Sequence, residues 1–212
     1  MAEKKCGLLV VVSGFSGAGK GTLMKRLLEK YDDYALSISM TTRNPREGEI
    51  EGVSYYFSSV ADFEDKIKQG GLIEYANYCG NYYGTPSDYV FEKLAKGIDV
   101  ILEIEIQGAL KIKEKFPEAL LLFVMPPSIE ELRNRLVGRG TEGIDVINKR
   151  INRAKEEAEG IEEYEYIVIN DDLEKCVVEM NGIIQNAKYK PIRNQEFIKN
   201  IKEELNGFSE RR

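Results

Sequence analysis

The sequence predicts an α/β fold: three layers around a parallel central sheet, interrupted by an inserted subdomain of mixed α+β character. Three observations carry that expectation. The run Leu8-Leu9-Val10-Val11-Val12 is apolar, β-branched and strand-length, as in a strand buried on both faces. It ends in a glycine-rich turn that leads into a helical pattern, and strand–helix alternation returns after residue 100. Between these two stretches, residues 36–90 hold short strands, turn signals and aromatics instead.

The elements follow in order. The first strand stops at Ser13-Gly14, and a helix over about 20–30 carries Leu23, Leu27 and Leu28 as its apolar stripe. Residues 36–42 are strand-like. Residues 43–57 are loop-rich, with Pro45, Gly48 and Gly52, and end in the strand-like Tyr55-Tyr56-Phe57. A helix over 60–69 has Ser59 or Asp62 as its cap and is ended by Gly70-Gly71. Strands over 72–78 and 82–85 flank Gly80-Asn81, a hairpin signal. Residues 87–96 read as a helix stopped by Gly97. A strand with interleaved acids spans 100–106, and a helix over 109–115 ends at Phe116-Pro117. The apolar strand 120–125 is closed by Pro126-Pro127. Ser128 and Glu131 have capping-box spacing for a helix running to Val137. A Gly-rich stretch, 138–143, precedes a charged helix over 144–160. A strand at 166–169 and a helix over 173–188 complete the pattern. In the tail, Phe197, Ile198 and Ile201 share one helical face, which makes it a surface helix or a frayed end.

Composition narrows the function. A chain of 212 residues suits one domain with insertions, and 42% hydrophobic with 31% charged residues suits a folded one. The net charge of −6 excludes a general nucleic-acid coat, but not a small anion in a local basic pocket. No apolar run approaches the roughly 18 residues of a membrane span, and no leader-like segment opens the chain, so a cytoplasmic protein is expected. Cys6, Cys79 and Cys176 are scattered without metal-ligand spacing. Histidine is absent, which excludes His-based acid–base catalysis and His-ligated metals. The remaining chemistry runs on carboxylates, lysine, arginine, hydroxyls and a metal brought by a substrate.

Gly14-Phe15-Ser16-Gly17-Ala18-Gly19-Lys20 fits G-x-x-x-x-G-K between a strand and a helix. In that context the backbone wraps a phosphate, and the lysine reaches the β- and γ-phosphates. Gly21 stands where the strict motif has Ser or Thr, and Thr22 follows as the hydroxyl for Mg²⁺. Arg43 and Arg46 flank Pro45 on a loop. Guanidinium forks suit phosphate oxygens, although such a pair is also an ordinary solvated one. On a strand Glu103 and Glu105 share a face, at the sheet edge where open α/β folds bind ligands, or else on a wet edge strand. Arg135, Arg139, Arg150 and Arg153 either close over phosphates or form a solvated helix face.

Taken together, GFSGAGKGT, SISMTTRNPREGEIEGVSYYF, IEYANYCGNYYGT, LEIEIQGA, PPS, GRGTE, INKR and VIND resemble the guanylate kinase family of nucleoside monophosphate kinases, over about residues 8–188. The resemblance implies a P-loop kinase fold. Its CORE comprises 1–35, 91–137 and 161–190, with a GMP-binding subdomain at 36–90 and a helical LID at 138–160; residues 191–212 match nothing. It implies transfer of the ATP γ-phosphoryl group to GMP, giving ADP and GDP, a step in GTP and dGTP supply. The partners implied are ATP and GMP with Mg²⁺, and neither nucleic acid nor membrane.

The same resemblance assigns Gly14, Ser16, Gly17, Ala18, Gly19, Lys20, Gly21, Thr22, Arg135, Asn170 and Asp171 to ATP. It assigns Ser39, Arg43, Arg46, Tyr55, Glu74, Tyr83, Thr85 and Glu105 to GMP. Lys20, Arg46, Arg139 and Arg150 are its catalytic cations, and Thr22 and Glu103 its Mg²⁺ neighbours. Phe15 replaces a frequent proline, Gly21-Thr22 a Ser-Thr pair, and Glu103 and Glu105 replace aspartates. The rival expectations are a guanylate-kinase-like phosphopeptide-binding module without catalysis, or a kinase for another nucleoside monophosphate.

Overall fold

The structure is a computed structural model that describes residues 6–78, 80–138 and 144–209. Five strands form the central sheet: β1 (Leu9–Gly14), β2 (Tyr34–Leu36), β7 (Asp99–Glu103), β8 (Leu120–Met125) and β9 (Tyr166–Ile169). Their order is β2-β7-β1-β8-β9, and every neighbouring pair is parallel. Leu8 through Val12 are essentially inaccessible, as are Leu120 through Val124, so both runs are buried on both faces as their unbroken apolar sequence requires.

Helices cover the sheet in two layers. The helices α1 (Lys20–Lys30) and α7 (Leu173–Ala187) pack on each other and over β1, β2 and β9. The second layer, α3 (Ser87–Ala95) and α4 (Ile106–Lys115), covers β7, β1 and β8. Further on, α5 (Ile129–Gly138) and α6 (Ile144–Ala158) pack together. Ser128 caps α5 by accepting the Glu131 N–H at 3.1 Å, and Asp172 caps α7 through Lys175.

The inserted block forms a second sheet, ordered β4-β3-β6-β5: β3 (Met40–Thr41), β4 (Tyr56–Phe57), β5 (Leu72–Tyr78) and β6 (Asn81–Pro86). The hairpin expected around Gly80-Asn81 is the antiparallel β5–β6 pair, which has a bulge between Leu72 and Glu74. The helix α2 (Val60–Lys68) is capped by Ser59, not Asp62.

Two expectations are corrected. The strand expected over 36–42 is two strands in two sheets: β2 ends the first sheet at Leu36, and Met40 starts β3 in the second. Residues 37–39 are therefore the link between the two bodies. The strand expected over 100–106 stops at Glu103, and Glu105 is already the N-cap of α4. Its ladder to β1 ends there: Ile104 N–H still donates to Val12 O at 3.3 Å, but Ile104 O accepts the Ser13 hydroxyl at 2.6 Å in place of a backbone N–H. Glu103 and Glu105 consequently do not share a strand face.

The tail is a surface helix, α8 (Gln195–Ser209), after a 3-10 turn at Pro191–Asn194, with Phe197 and Phe208 exposed. Arg193 ties it to the start of β1 by donating to Cys6 O and Gly7 O. No helix among the described residues is long and apolar enough to cross a membrane.

Asp99, at the N-terminal end of β7, is 1% exposed. Its Oδ1 accepts the buried Leu8 N–H at 2.8 Å, and Lys188 Nζ lies 2.7 Å from Oδ2 as an ion pair off the hydrogen-bonding direction. Removing the carboxylate strands the Leu8 N–H in the core, so Asp99→Ala is expected to lower the unfolding free energy by about 2 kcal/mol. Urea denaturation checks this; a change below about 0.5 kcal/mol, the range of neutral surface substitutions, contradicts it.

Candidate active site

One half of the site is built where β1 leaves the sheet. The chain turns at Gly14, where φ is +154° and a Cβ would lie 2.1 Å from Val124 O, so only glycine fits. The loop then runs to Gly19, the left-handed N-cap of α1, and no side chain caps this helix. The free N–H groups of a helix start form a ready anion site. Lys20 folds its ammonium back over the loop, donating to Gly14 O at 2.7 Å and Phe15 O at 3.3 Å.

Three side chains hold the outside of this loop. Asn170, buried at the end of β9, donates to Ala18 O at 2.8 Å. Arg135 of α5 donates to Ala18 O and Asn170 O, and Glu131 orients it from one turn earlier. Arg150 of α6 donates to the Ser16 hydroxyl at 2.9 Å. A side chain at Gly21 would meet nothing within 4 Å, so glycine there is no steric requirement. Thr22 and Asp171 are exposed beside the loop. Arg139 lies outside the described residues.

The other half lies in the second sheet. Glu74 on β5 is 4% exposed, and its Oε1 accepts the Thr85 hydroxyl at 2.8 Å. Its other oxygen presses on α4: a Cβ at Gly108 would come within 2.7 Å of Oε2, so glycine lets the carboxylate approach. Burial raises the Glu74 pKa, against the pull of Thr85, Lys111 and Lys115. Those lysines also clamp α4 to β5 by donating to Tyr75 O and Ile73 O. Glu105 at the start of α4 is half exposed and lies 3.7 Å from Arg153. Ser39 is half-buried on the link between the sheets, where its carbonyl accepts from Tyr56 N–H.

A basic and aromatic group stands beside this. The Arg43 guanidinium lies 4.8 Å above the Tyr55 ring, and the Tyr55 and Tyr83 rings meet edge to face at 6.1 Å. Arg46 is exposed on the same loop. Glu103 is half-buried at the end of β7, where burial raises its pKa and the Lys20 charge opposes that rise.

Of the residues singled out in the sequence, the structure thus gathers Lys20, Ser16, Ala18, Arg135, Arg150 and Asn170 on one side. It gathers Arg43, Tyr55, Tyr83, Glu74 and Thr85 on the other. Three neighbours of these residues escape a sequence reading. Glu49 takes the Arg43 fork, and its only signal is an acid three residues after Arg46. Glu157 takes Arg153 at 2.9 Å, a pairing that i,i+4 spacing on a charged helix suggests. Tyr164 is buried behind the loop, and nothing in the sequence separates it from a core aromatic.

No group of three acidic or cysteine side chains is gathered for a metal among the described residues. The Glu103 carboxyl and the Thr22 hydroxyl are hard oxygen donors, which fit a Mg²⁺ ion held chiefly by nucleotide phosphates.

The family model for guanylate kinase matches residues 7–187. The guanylate kinase of Caldanaerobacter subterraneus is 50% identical over 204 residues, covering 96% of this chain and 99% of its own. That of Clostridioides difficile is 51% identical over 202 residues, covering 95% and 98%. The crystal structure of guanylate kinase from Anaplasma phagocytophilum superposes with a TM-score of 0.74 at 33% identity, covering 89% of this chain and 90% of its own. The chain belongs to the guanylate kinase family.

Proposed function

We propose that this enzyme transfers the γ-phosphoryl group of ATP to GMP, giving ADP and GDP, with Mg²⁺ carried by the nucleotide. The observation that carries the choice of acceptor is Glu74: a carboxylate buried against α4 and bonded to a neutral hydroxyl. Such a group is unfavourable unless a ligand brings it donors. Guanine presents N1–H and N2–H₂ side by side, and adenine presents no such pair, so adenine would leave the carboxylate unmatched. Glu105 takes the same base edge, with Ser39 at the guanine carbonyl and Thr85 fixing Glu74.

Arg43, Arg46, Tyr55 and Tyr83 hold the GMP phosphate. Residues 14–22, with Asn170 and Asp171 near adenine, hold ATP. Lys20 leaves the Gly14 and Phe15 carbonyls for the β- and γ-phosphates. Mg²⁺, beside Thr22 and Glu103, supplies further charge neutralisation on the nucleotide. The transition state spreads charge over the transferred oxygens, so positioned cations supply most of the catalysis. Arg135, Arg139 and Arg150 complete that set. Residues 36–90 act as the GMP-binding subdomain and 138–160 as a LID whose closure excludes water.

An ADP-release assay with GMP, AMP, CMP and UMP tests this reading. GMP is expected to be preferred by about 10²-fold or more; equal turnover with AMP overturns it. Lys20→Ala is expected to lower turnover by about 10²–10³-fold while GMP still binds. Loss of GMP binding moves Lys20 off the ATP side.

Glu74→Gln separates function from stability. Its kcat/KM for GMP is expected to fall about 10–100-fold as a charged acceptor is lost. The raised pKa of Glu74 means that ionisation opposes folding. Its contribution to stability is full below the ordinary carboxylate range and is lost as pH rises through the raised value. The variant should therefore melt above the parent at pH 7, with the gap closing on acidification. A variant less stable at pH 7 contradicts this account.

A further inference from the structure

The Arg43 guanidinium has five N–H donors in one plane. Nη1 and Nη2 each donate to Glu49, at 2.7 and 2.6 Å, and Nη1 also donates to Asn44 O at 2.9 Å. Nε–H and the second Nη2–H, neighbours on the adjacent edge, are engaged by neither Glu49 nor Asn44, and the Tyr55 hydroxyl is a further hydrogen-bonding neighbour of the guanidinium. That edge is itself a fork for two phosphate oxygens. Glu49 reaches further than Arg43: its Oε2 also accepts the Arg46 backbone N–H at 2.8 Å. One carboxylate thus ties both arginines of the loop. The Arg43 and Glu49 side chains are only 11% and 20% exposed, so little water competes for the pair.

We propose that Glu49 is a positioning residue for the acceptor phosphate: it grips one edge of Arg43 and one N–H of the loop so that the other edge of Arg43 meets GMP. The inference rests on the reading that Arg43 binds the GMP phosphate. The alternative is a placeholder, with Glu49 filling the phosphate's position and leaving when GMP arrives. The second bond, to the Arg46 N–H, favours positioning, because leaving would undo the loop as well as the ion pair. The Arg43 hydrogen bonds hold the Glu49 carboxyl down to about 2, so it is ionised at any working pH.

The test uses the full chain and four proteins: the parent, Glu49→Gln, Glu49→Asp and Arg43→Gln. Steady-state kinetics give KM for GMP and ATP, and equilibrium titrations give affinities for GMP and for guanosine, which has the base but no phosphate. Glu49→Gln is expected to raise the GMP KM roughly tenfold, with a smaller fall in kcat and guanosine affinity within twofold of the parent. Glu49→Asp is expected to recover part of the loss.

Each other outcome overturns the proposal in its own way. Tighter GMP binding by Glu49→Gln identifies a placeholder. Equal weakening of GMP and guanosine identifies a role in folding the loop only. Parental GMP kinetics in Glu49→Gln, with GMP affinity lost in Arg43→Gln, reject positioning and leave the phosphate reading standing. If Arg43→Gln keeps the parental preference for GMP over guanosine, the phosphate reading itself fails, and positioning with it.

Discussion

The strand β1 has no free edge and no free face. It is hydrogen-bonded to β7 and β8 on its two sides and covered by helices above and below. Its last residue, Gly14, sits so close to Val124 O that any side chain would collide. The chain therefore leaves the sheet only at its C-terminal edge, in a tight backbone loop that opens directly into α1. The glycine-rich loop follows from that confinement. So does the company it keeps: Glu103 ends β7, and Asn170 follows β9 and bonds to Met125 at the end of β8. Side chains from distant parts of the sequence meet at this edge because parallel strands all end there.

Strand β7 shows how burial is used differently at its two ends. Asp99 at the N-terminal end has a backbone N–H and a lysine, and it joins the sheet to the C-terminal region. Glu103 at the other end is kept in a desolvated place that raises its pKa, with Lys20 as its opposing charge. The first carboxylate is matched within the fold by one hydrogen bond and one ion pair. The second, like Glu74 in the inserted sheet, is in a place the fold alone does not favour. Groups of that kind concentrate where ligands complete them.

Much of this was legible in the sequence, for physical reasons. Unbroken β-branched runs such as 8–12 and 120–125 mark strands buried on both faces, and the glycine spacing after Gly14 marks the loop. The break at residues 37–39 was not legible, because Leu36 and Met40 continue an apolar pattern although they serve different sheets. The end of β7 was hidden for a related reason: LEIEI alternates like a strand, but past Glu103 a serine hydroxyl replaces the backbone ladder and α4 begins. Glu49 was invisible in its role because an acid in a charged loop reads as solvated. Only the fold brings the Arg43 fork onto it.

The central claim is that the buried Glu74 carboxylate, with the half-exposed Glu105 beside it, reads the guanine edge. The most direct measurement compares kcat/KM for GMP and inosine monophosphate, which keeps the N1–H but lacks the 2-amino group. If the buried Glu74 accepts from that edge, loss of the 2-amino donor leaves a desolvated carboxylate oxygen unmatched, and GMP should be favoured by about 10²-fold or more. A ratio near one would contradict the account, because the carboxylates would then not be reading the base.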